Sequence, residues 1–360
     1  MRKVLLFSLS FLVLFAATGA ASDDSALERP FLIGPHYPLA YQSTTFEPDR
    51  AFNLKAGQTF VQTSFTRLNT YAFSENSDKS NNPTGDPSQF NSTLNQGYSV
   101  YFDGEIDRRF FRWYQGLSDG TELQITYRDL RFIAGGLDSQ IEGFHKALGI
   151  GNQGRDQTAR DQLQIYIHDN QTGENILAIT EGSDHFQRES MTFGLKFRVR
   201  ETANEAIALV ISSNFSDGYV QGGMNETGTL VQADHKNFND SNISLLYSSK
   251  FTDWTLHAGF SLARVSQSLL PKAPDEMYYF FLGSDITLGD HSHFLLQALE
   301  YTSPFPEDNV STISADIREV STGFRWIFGP TAFELGLIEN QSQGPQNIDI
   351  AYFSNFMLSF

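Results

Sequence analysis

The sequence predicts an all-β fold, a transmembrane antiparallel up-and-down β-barrel of about 12–14 strands with one short α-helix in a loop or in the lumen. Three observations lead to this prediction. The last segment alternates apolar and polar positions as far as Phe360. Several other segments alternate apolar with charged residues. Beyond the amino-terminal run no stretch is apolar for long enough to form a spanning helix, and a closed barrel is the only other structure that satisfies its backbone in lipid.

The final segment, NIDIAYFSNFMLSF, has the period of two that places alternate side chains on opposite faces of a strand. Counted back from the end, one face carries Phe360, Leu358, Phe356 and Tyr352. A last strand that ends on an aromatic residue resembles the assembly signal of bacterial outer-membrane barrels. We therefore expect these four residues to form that signal, with the barrel assembly machinery as a partner.

The amino-terminal residues predict an export signal. Arg2 and Lys3 precede the apolar run 4–17, and small residues follow it. The run is shorter than the roughly 20 residues of a spanning helix, so we predict a signal peptide, 1–21, cleaved after Ala20 or Ala21. Residues 22–56, which contain several prolines, then form an amino-terminal periplasmic or lumenal segment, and 57–360 the barrel. The expected location is the bacterial outer membrane, with its lipid and lipopolysaccharide as partners.

Composition excludes several classes of function. The chain contains no cysteine, which excludes disulfides, thiol chemistry and cysteine metal sites. Its formal net charge of −17 argues against nucleic acid as a partner, because phosphate binding needs a basic surface. The 32 Phe and 14 Tyr accompany a mean hydropathy of −0.30. This combination is typical of a lipid-facing aromatic girdle around a wet interior, although a large β-sandwich would also fit.

Four segments separate charged from apolar residues cleanly, near 98–114, 122–128, 193–200 and 333–337. Because a barrel in lipid turns apolar side chains outward and polar ones inward, we expect Val100, Phe102 and Ile106 to contact lipid. The charged residues of these segments should then line the lumen. Those expected there are Asp103, Glu105, Asp107, Arg109, Arg128, Lys196, Arg198 and Arg200.

The other predicted strands alternate less clearly. In one, Ile317 is odd-numbered while Phe324 and Phe328 are even-numbered, so we predict a bulge near 319–323. The segment 74–96, rich in Ser, Asn, Pro and Gly, is typical of a long loop. The remaining strands are expected near 58–68, 162–169, 175–181, 206–215, 241–250, 253–266, 277–288, 292–301 and 311–328. The total is about 14, or about 12 if the pair around 170–174 is an external hairpin, and both counts are even.

One connection predicts a helix, over 139–148. Ser139 and Glu142 have the spacing of a capping box, and Ile141, His145 and Leu148 fall on one helical face. This apolar face must be buried, either against the barrel wall inside the lumen or across the mouth. In either place the helix would narrow or gate a pore.

The same connection carries a resemblance to a known family. It resembles the signature of an uncharacterised bacterial outer-membrane family catalogued as domain of unknown function 3187. Leu148 and Gly151 depart from that pattern, which has Phe and Pro at these places, while the triplet at 103–105 and the stretch 38–40 also look similar. The resemblance implies an outer-membrane barrel and carries no established activity. The matching residues are Leu137, Asp138, Ile141, Glu142, Gly143, Phe144, His145 and Arg155.

Asp138, Glu142 and His145 place three ionisable groups within two helical turns. Such a group could contact a ligand together with Arg155, bind a metal or transfer protons, but we favour docking of the helix by polar contacts. His291 and His293 lack an acidic third ligand other than Asp290. The sequence contains no nucleophile elbow, phosphate-binding loop or zinc-protease motif. We therefore expect no cofactor, no metal site and no catalytic residue, hence no enzyme.

Three functional hypotheses remain. The favoured one is a pore or channel for an unknown small solute, with a charged lumen partly plugged by the 139–148 helix. The second is a structural or adhesive barrel without transport, whose long loops contact a surface or partner. The third is a membrane-embedded hydrolase, which requires a nucleophile beside a histidine.

Overall fold

The computed structural model describes residues 24–36, 46–73, 98–149, 160–180, 182, 185–216, 238–266, 274–304, 316–341 and 346–360. The expected signal peptide (1–21), the loop 74–96 and Arg155 lie outside these ranges. No helix within them is both long and apolar enough to cross a membrane. Besides a short 3-10 helix at Asp24–Leu27, the elements are β1 (Thr59–Phe73), β2 (Tyr98–Ser118), β3 (Thr121–Ile133), α1 (Asp138–Leu148), β4 (Gln164–Asp169), β5 (Glu174–Ile179), β6 (Gln187–Glu201), β7 (Glu205–Ser216), β8 (Phe238–Lys250), β9 (Trp254–Arg264), β10 (Glu276–Thr287), β11 (Ser292–Tyr301), β12 (Ile317–Phe328), β13 (Thr331–Asn340) and β14 (Gln346–Ser359).

Twelve antiparallel strands close into a barrel. β1 pairs with β14 on one side and with β2 on the other, and the ring continues through β3 and β6 to β13. β4 and β5 form a hairpin that pairs only with the first six residues of β2, before β3 takes over as the neighbour of that strand. The predicted all-β barrel is therefore confirmed, in the form of twelve barrel strands and a separate hairpin.

The connections divide the barrel into two ends. The tight turns after β2, β6, β8, β10 and β12 all lie at the end where β1 begins and β14 finishes. We call it the tight-turn end, and the opposite one the long-loop end. At the turn between β12 and β13, Gly329 has a φ of +57°, a conformation that costs glycine little and most other residues more.

Side chains alternate between the two faces of the barrel wall. Leu282, Phe324 and Leu335 point outward and are each 45 % exposed. Their neighbours Asp285, Arg325 and Glu334 point inward and are buried. An exposed apolar outer face is what a barrel in lipid requires.

The phase change predicted in β12 has a different explanation. The strand pairs with β11 and β13 without a register shift, so the bulge predicted near 319–323 is wrong. Ile317 points into the lumen and is buried, while Phe324 points outward. The prediction failed because it assumed that every apolar residue faces lipid. Residues 311–315 of the predicted strand lie outside the described residues.

The core of the molecule lies inside the barrel. Residues 24–36 and 46–56, which we call the plug, run through the lumen and are mostly buried, apart from Lys55 and Ala56 at the exposed end of the second limb. Phe31 and Ile33 pack in one apolar cluster with Leu295 and Phe353 of the wall. The interior of an eight-stranded barrel can be filled by wall side chains alone, but a barrel of twelve strands is wider. Here a separate segment of chain supplies the filling.

Candidate functional site: the plugged lumen

The first limb of the plug, 24–36, rises from the tight-turn end towards the long-loop end. The guanidinium of Arg325 in β12 donates to the carbonyl of Arg29 at 2.6 Å. Phe31 meets Phe353 of β14 edge-on, with ring centroids 4.9 Å apart. Higher up, the backbone N–H of His36 donates to Glu319 at 3.0 Å. This limb therefore contacts the wall along most of its length.

The second limb, 46–56, descends to the start of β1. Phe46 stacks on Tyr279 of β10, with ring centroids 5.5 Å apart. Below it, the N–H of Ala51 donates to Ser248 Oγ at 2.8 Å and the N–H of Leu54 to Glu122 at 2.9 Å. Arg29 joins the two limbs through an ion pair with Asp49 at 2.7 Å. The plug is thus a two-limbed unit bound to the wall through both apolar packing and polar contacts.

The two acidic residues of the second limb meet a set of basic wall residues. Arg112 of β2 donates from Nε and Nη2 to both carboxylate oxygens of Glu47, at 2.8 and 3.0 Å. Arg128 of β3 donates to the same carboxylate at 2.7 Å. Lys196 of β6 donates to Asp49 at 3.0 Å. We call Arg112, Arg128 and Lys196, which lie on three adjacent strands, the basic wall.

The wall on strands β10 to β13 is organised differently. Arg325 donates from Nε to Glu334 at 2.7 Å and from Nη1 to Asp285 at 2.6 Å. His293 bonds Asp285 at 2.7 Å, and Asn355 of β14 donates to Glu334 at 2.5 Å. All these partners belong to the wall. We call this set the self-paired wall, because among the described residues the plug adds only the carbonyl of Arg29 to it.

Burial and charge shift the acid–base equilibria of the plug. Burial raises the pKa of Glu47, but Arg112 and Arg128 outweigh it and bring the pKa to about 2. For Asp49, burial is likewise outweighed, by Lys196 and Arg29, and its pKa is well below the usual range. Burial lowers the pKa of His36 below its ordinary value. Both carboxylates are therefore ionised at neutral pH.

The lumen beside the basic wall retains little space. A cavity of about 30 Å³ lies against Glu47, Asp49 and Arg128, with Thr126 and Asn242 among its other lining residues. This is room for only one or two water molecules, and the lining is polar enough to hold them. With the plug in place, this part of the lumen has no room for a larger solute.

The structure places only some of the predicted lumen residues in the lumen. Arg128 and Lys196 point inward and are buried, while Phe193 and Leu195 point outward, as the alternation predicted. Arg198 and Arg200 are instead exposed at the tight-turn end, with a register shift between them. Arg198 hydrogen bonds the carbonyl of Asp119 in the neighbouring turn. These two arginines therefore lie at the rim.

The predicted orientation of β2 is wrong. Asp103, Glu105, Asp107 and Arg109 share their face with Phe111, which is 41 % exposed, and so lie on the outer side of the wall. The opposite face, with Val100 and Phe102, points inward and packs on Ile165 and Ile167 of the hairpin. The error arose because this part of the lumen is apolar.

Lateral ion pairs keep these charges on the outer face. Asp107 binds Arg67 of β1 at 2.7 Å and Arg131 of β3 at 2.7 Å. Arg109 binds Asp129 of β3 at 2.5 Å, and its guanidinium covers the ring of Phe186 at 3.5 Å. Opposite charges directly across neighbouring strands stabilise each other. These charged side chains can therefore lie on the outer face and do not require the polar interior of the barrel.

The helix α1 packs on the outside of the barrel, so its predicted role as a lumen plug is wrong. Glu105 accepts hydrogen bonds at 2.5 Å from the N–H groups of Gly136 and Leu137, at the start of the helix. Asn69 of β1 donates to Asp138 at 3.0 Å. Ile141 and Leu137 form an apolar cluster with the outward-facing Ile350.

The predicted capping box of α1 is also wrong. Leu137 occupies the N-cap without a side-chain hydrogen bond, since Glu105 from β2 takes the place of a local cap. Glu142 pairs with Arg160 at 2.5 Å, and His145 is buried. The three ionisable residues of the helix thus face different surroundings, and docking is the role that their contacts support.

The carboxyl-terminal residues close the ring. Tyr352 and Phe356 are exposed on the outer face, and Leu358 and Phe360 are half-buried. Phe360 and Thr59 exchange two backbone hydrogen bonds, at 2.7 and 3.0 Å. The role of these residues as an assembly signal stays a prediction.

The hydrolase hypothesis required a nucleophile beside a histidine, and one such pair exists in the lumen. Ser248 Oγ lies 2.9 Å from His257 Nδ1. Within the described residues His257 Nε2 has no hydrogen-bond partner, so no carboxylate orients the imidazole ring. The hydroxyl of Ser248 already accepts a hydrogen bond from the backbone N–H of Ala51 in the plug. No group of three potential metal ligands occurs in the described ranges.

Sequence reasoning missed Arg112, Glu47 and Asp49. In β2, Arg108 and Arg112 alternate with aromatic residues at the even positions. Both faces of the strand therefore carry charged and aromatic residues, and neither stands out as the polar face. The two acidic residues lie in a segment without strand or helix periodicity. Its only signals are its prolines and the acid pair two residues apart, and neither predicts where the segment lies.

The chain matches the profile of a family described as protein of unknown function, DUF3187, over residues 5–354. The protein belongs to this family. No curated protein matches the sequence. The resemblance noted in the 137–145 segment is thereby confirmed over nearly the whole chain.

Several solved structures have a similar fold. The COG4313 outer membrane channel from Pseudomonas putida F1 is 12 % identical with a TM-score of 0.49, covering 88 % of this chain and 100 % of that one. The Pseudomonas putida toluene transporter TodX is 8 % identical with a TM-score of 0.36, covering 91 % and 98 %. The KdgM porin in complex with disordered oligogalacturonate is 6 % identical with a TM-score of 0.39, covering 84 % and 99 %. Such low similarity concerns the fold alone, so the functional argument rests on the residues of this chain.

Proposed function

We propose that the protein is a bacterial outer-membrane pore for small solutes, closed by the plug and opened when the plug leaves the lumen. Tight periplasmic turns and long external loops are usual in such barrels, so the tight-turn end would face the periplasm. The apolar outer face supports insertion in lipid. The family resemblance supports the same location.

The observation that carries the proposal is the set of ion pairs and hydrogen bonds that joins the second limb of the plug to the wall. Glu47, Asp49 and Ala51 are bound through ion pairs and hydrogen bonds to side chains that water can also solvate. Phe31 and Phe46 also pack on apolar wall residues, so opening must break this packing as well. Removal of the plug would leave a lumen that is polar beside the basic wall and apolar around Val100 and Phe102.

A structural or adhesive barrel is the second candidate. The cavity of about 30 Å³ and the stacking of Phe46 on Tyr279 favour it, because both describe a closed lumen. It requires that the plug never leaves. The two candidates therefore differ in one property, which is conductance.

Planar-bilayer recording of the full-length protein tests the proposal. In Glu47→Gln, Arg112 and Arg128 lose their carboxylate, so we expect openings that are at least about tenfold more frequent than in wild type. Glu142→Gln provides a matched control, since this residue pairs with Arg160 on the outside of the barrel. If wild type, Glu47→Gln and the control are all silent while folded in the bilayer, the pore is rejected.

A further inference from the structure

The basic wall depends on the plug for its negative charge. Within the described part of the chain, Arg112 and Arg128 contact no wall carboxylate, and Glu47 of the plug serves both. Lys196 has Glu122 on the wall at 3.0 Å and Asp49 of the plug at 3.0 Å. When the plug leaves, two guanidinium groups on adjacent strands face the lumen without a counter-charge.

The wall itself holds these two guanidinium groups in place. Arg112 donates from Nη1 to Ser64 Oγ at 3.0 Å, and Arg128 donates from Nη1 to Thr192 Oγ1 at 2.6 Å. Neither hydroxyl belongs to the plug. The donors that now bind Glu47, which are Nε and Nη2 of Arg112 and Nη2 of Arg128, are therefore already oriented for a ligand.

The geometry points to a solute that carries carboxylate groups. We infer that the basic wall is a binding site for small organic acids, and that Glu47 and Asp49 occupy it as internal substitutes in the closed state. The fork of Arg112 binds both oxygens of one carboxylate, the geometry that a guanidinium favours for this group. The inference rests on the proposed function, since only an opening lumen presents this wall to a solute.

The other walls of the lumen carry carboxylates, most of which have basic partners on the wall itself. Arg325 satisfies Asp285 and Glu334 whether or not the plug is present. Arg108 similarly binds Glu189 of β6 at 2.6 Å. Glu319 of β12, which accepts a hydrogen bond from the N–H of His36, loses this partner when the plug leaves. The unmatched positive charge of the plug-free lumen is therefore local to Arg112 and Arg128, where it favours the binding of an anion.

Reversal potentials in a KCl gradient test the selectivity. For full-length Glu47→Gln/Asp49→Asn we expect chloride to permeate about fivefold better than potassium. Adding Arg112→Gln and Arg128→Gln should bring the ratio close to one. Arg109→Gln is the matched control, because this arginine lies on the same strand but on the outer face, and the ratio should stay unchanged.

Block of the chloride current then tests the ligand class, with glutarate, inorganic phosphate and a neutral sugar as probes. Glutarate should block at the lowest concentration. Arg112→Lys/Arg128→Lys, which keeps the charge but loses the fork, should retain chloride selectivity and need about tenfold more glutarate.

The outcomes separate the inference from the proposed function. Silence of every folded variant contradicts the pore itself. Current with a preference for potassium, or a ratio that ignores Arg112 and Arg128, contradicts the inference alone. Block by phosphate at lower concentration than glutarate, or by the neutral sugar equally well, contradicts the carboxylate assignment. Electrophoretic mobility without boiling confirms that each variant is folded.

Discussion

The two charged walls of the lumen bind the same plug in different ways. The self-paired wall binds Arg325 to its own Asp285 and Glu334. The basic wall leaves Arg112 and Arg128 to the carboxylate of Glu47. A buried charge without a partner is strongly destabilising. In the proposed pore, one wall therefore stabilises the barrel, whereas closure at the other depends on Glu47 and Asp49 of the plug.

The largest expected effect comes from Glu47→Gln. Removing one partner of a buried ion pair costs about 3–5 kcal/mol, so the plug should spend far more time outside the lumen. The chain has no cysteine, and Ala51→Cys therefore reports the plug alone. The thiol should react with a water-soluble maleimide at least about a hundredfold faster in Glu47→Gln. Equal rates in both backgrounds would contradict the role of this carboxylate in closure.

Glu334→Gln should have a smaller effect, on the barrel rather than on the plug. Arg325 keeps Asp285, while Asn355 loses a charged acceptor, so we expect a loss of about 1–3 kcal/mol in the free energy of unfolding. Urea titration of the refolded barrel measures it. In the Glu334→Gln background, the rate at which Ala51→Cys is labelled should stay within about twofold of the rate without this change. A larger acceleration would mean that both walls control the position of the plug, which contradicts the comparison.

Acid should open the plug in two stages. His36 has a pKa lowered from 6.5 by burial, so the stability that its neutral form contributes is present above pH 6.5 and declines as the pH falls below it. The pKa of Glu47 is lowered from 4.5 to about 2, so its contribution is present above pH 4.5 and is lost between these values. Open probability measured against pH should rise in both ranges.

Glu47→Gln is the control for the second stage. It should reduce the rise between pH 4.5 and 2, to which Asp49 also contributes, and preserve the one below 6.5. A wild-type protein whose open probability does not change from pH 7 to 3 would show that these groups do not control closure.

Much of the fold could be predicted from the sequence, because the wall obeys one local rule. In β6 and β13 the alternation of Phe193 with Lys196 and of Phe333 with Glu334 correctly assigned both faces. In β2 the rule failed. Glu105 lies on the outer face, where it accepts backbone hydrogen bonds at the start of α1, and Ile106 is buried in an apolar part of the lumen. Alternation identifies two faces but does not say which one meets lipid.

The candidate site was less predictable, because it depends on contacts distant in sequence. Glu47 and Arg112 lie 65 positions apart, and Asp49 and Lys196 lie 147 apart. The plug has no periodicity of its own, so no local pattern places it in the lumen. The helix offered a stronger local signal and was therefore assigned the role that the plug fills.

The smallest expected effect tests this correction. Glu105→Gln weakens the acceptor at the start of α1, so backbone amides of 138–148 should exchange with solvent about fivefold faster. Conductance of the same variant should stay unchanged, because α1 lies outside the barrel. A change in conductance without faster amide exchange would indicate that α1 lies in the permeation path, which contradicts its position outside the barrel.

A reversible disulfide tether between the plug and the wall tests whether the plug moves. Ala51 and Ser248 are joined by a hydrogen bond of 2.8 Å, and no native cysteine interferes with a disulfide between Ala51→Cys and Ser248→Cys. In single-channel recordings of this variant, we predict silence under oxidising conditions and openings after a reductant is added. Openings of the same size and frequency in the oxidised, tethered protein would contradict movement of the plug.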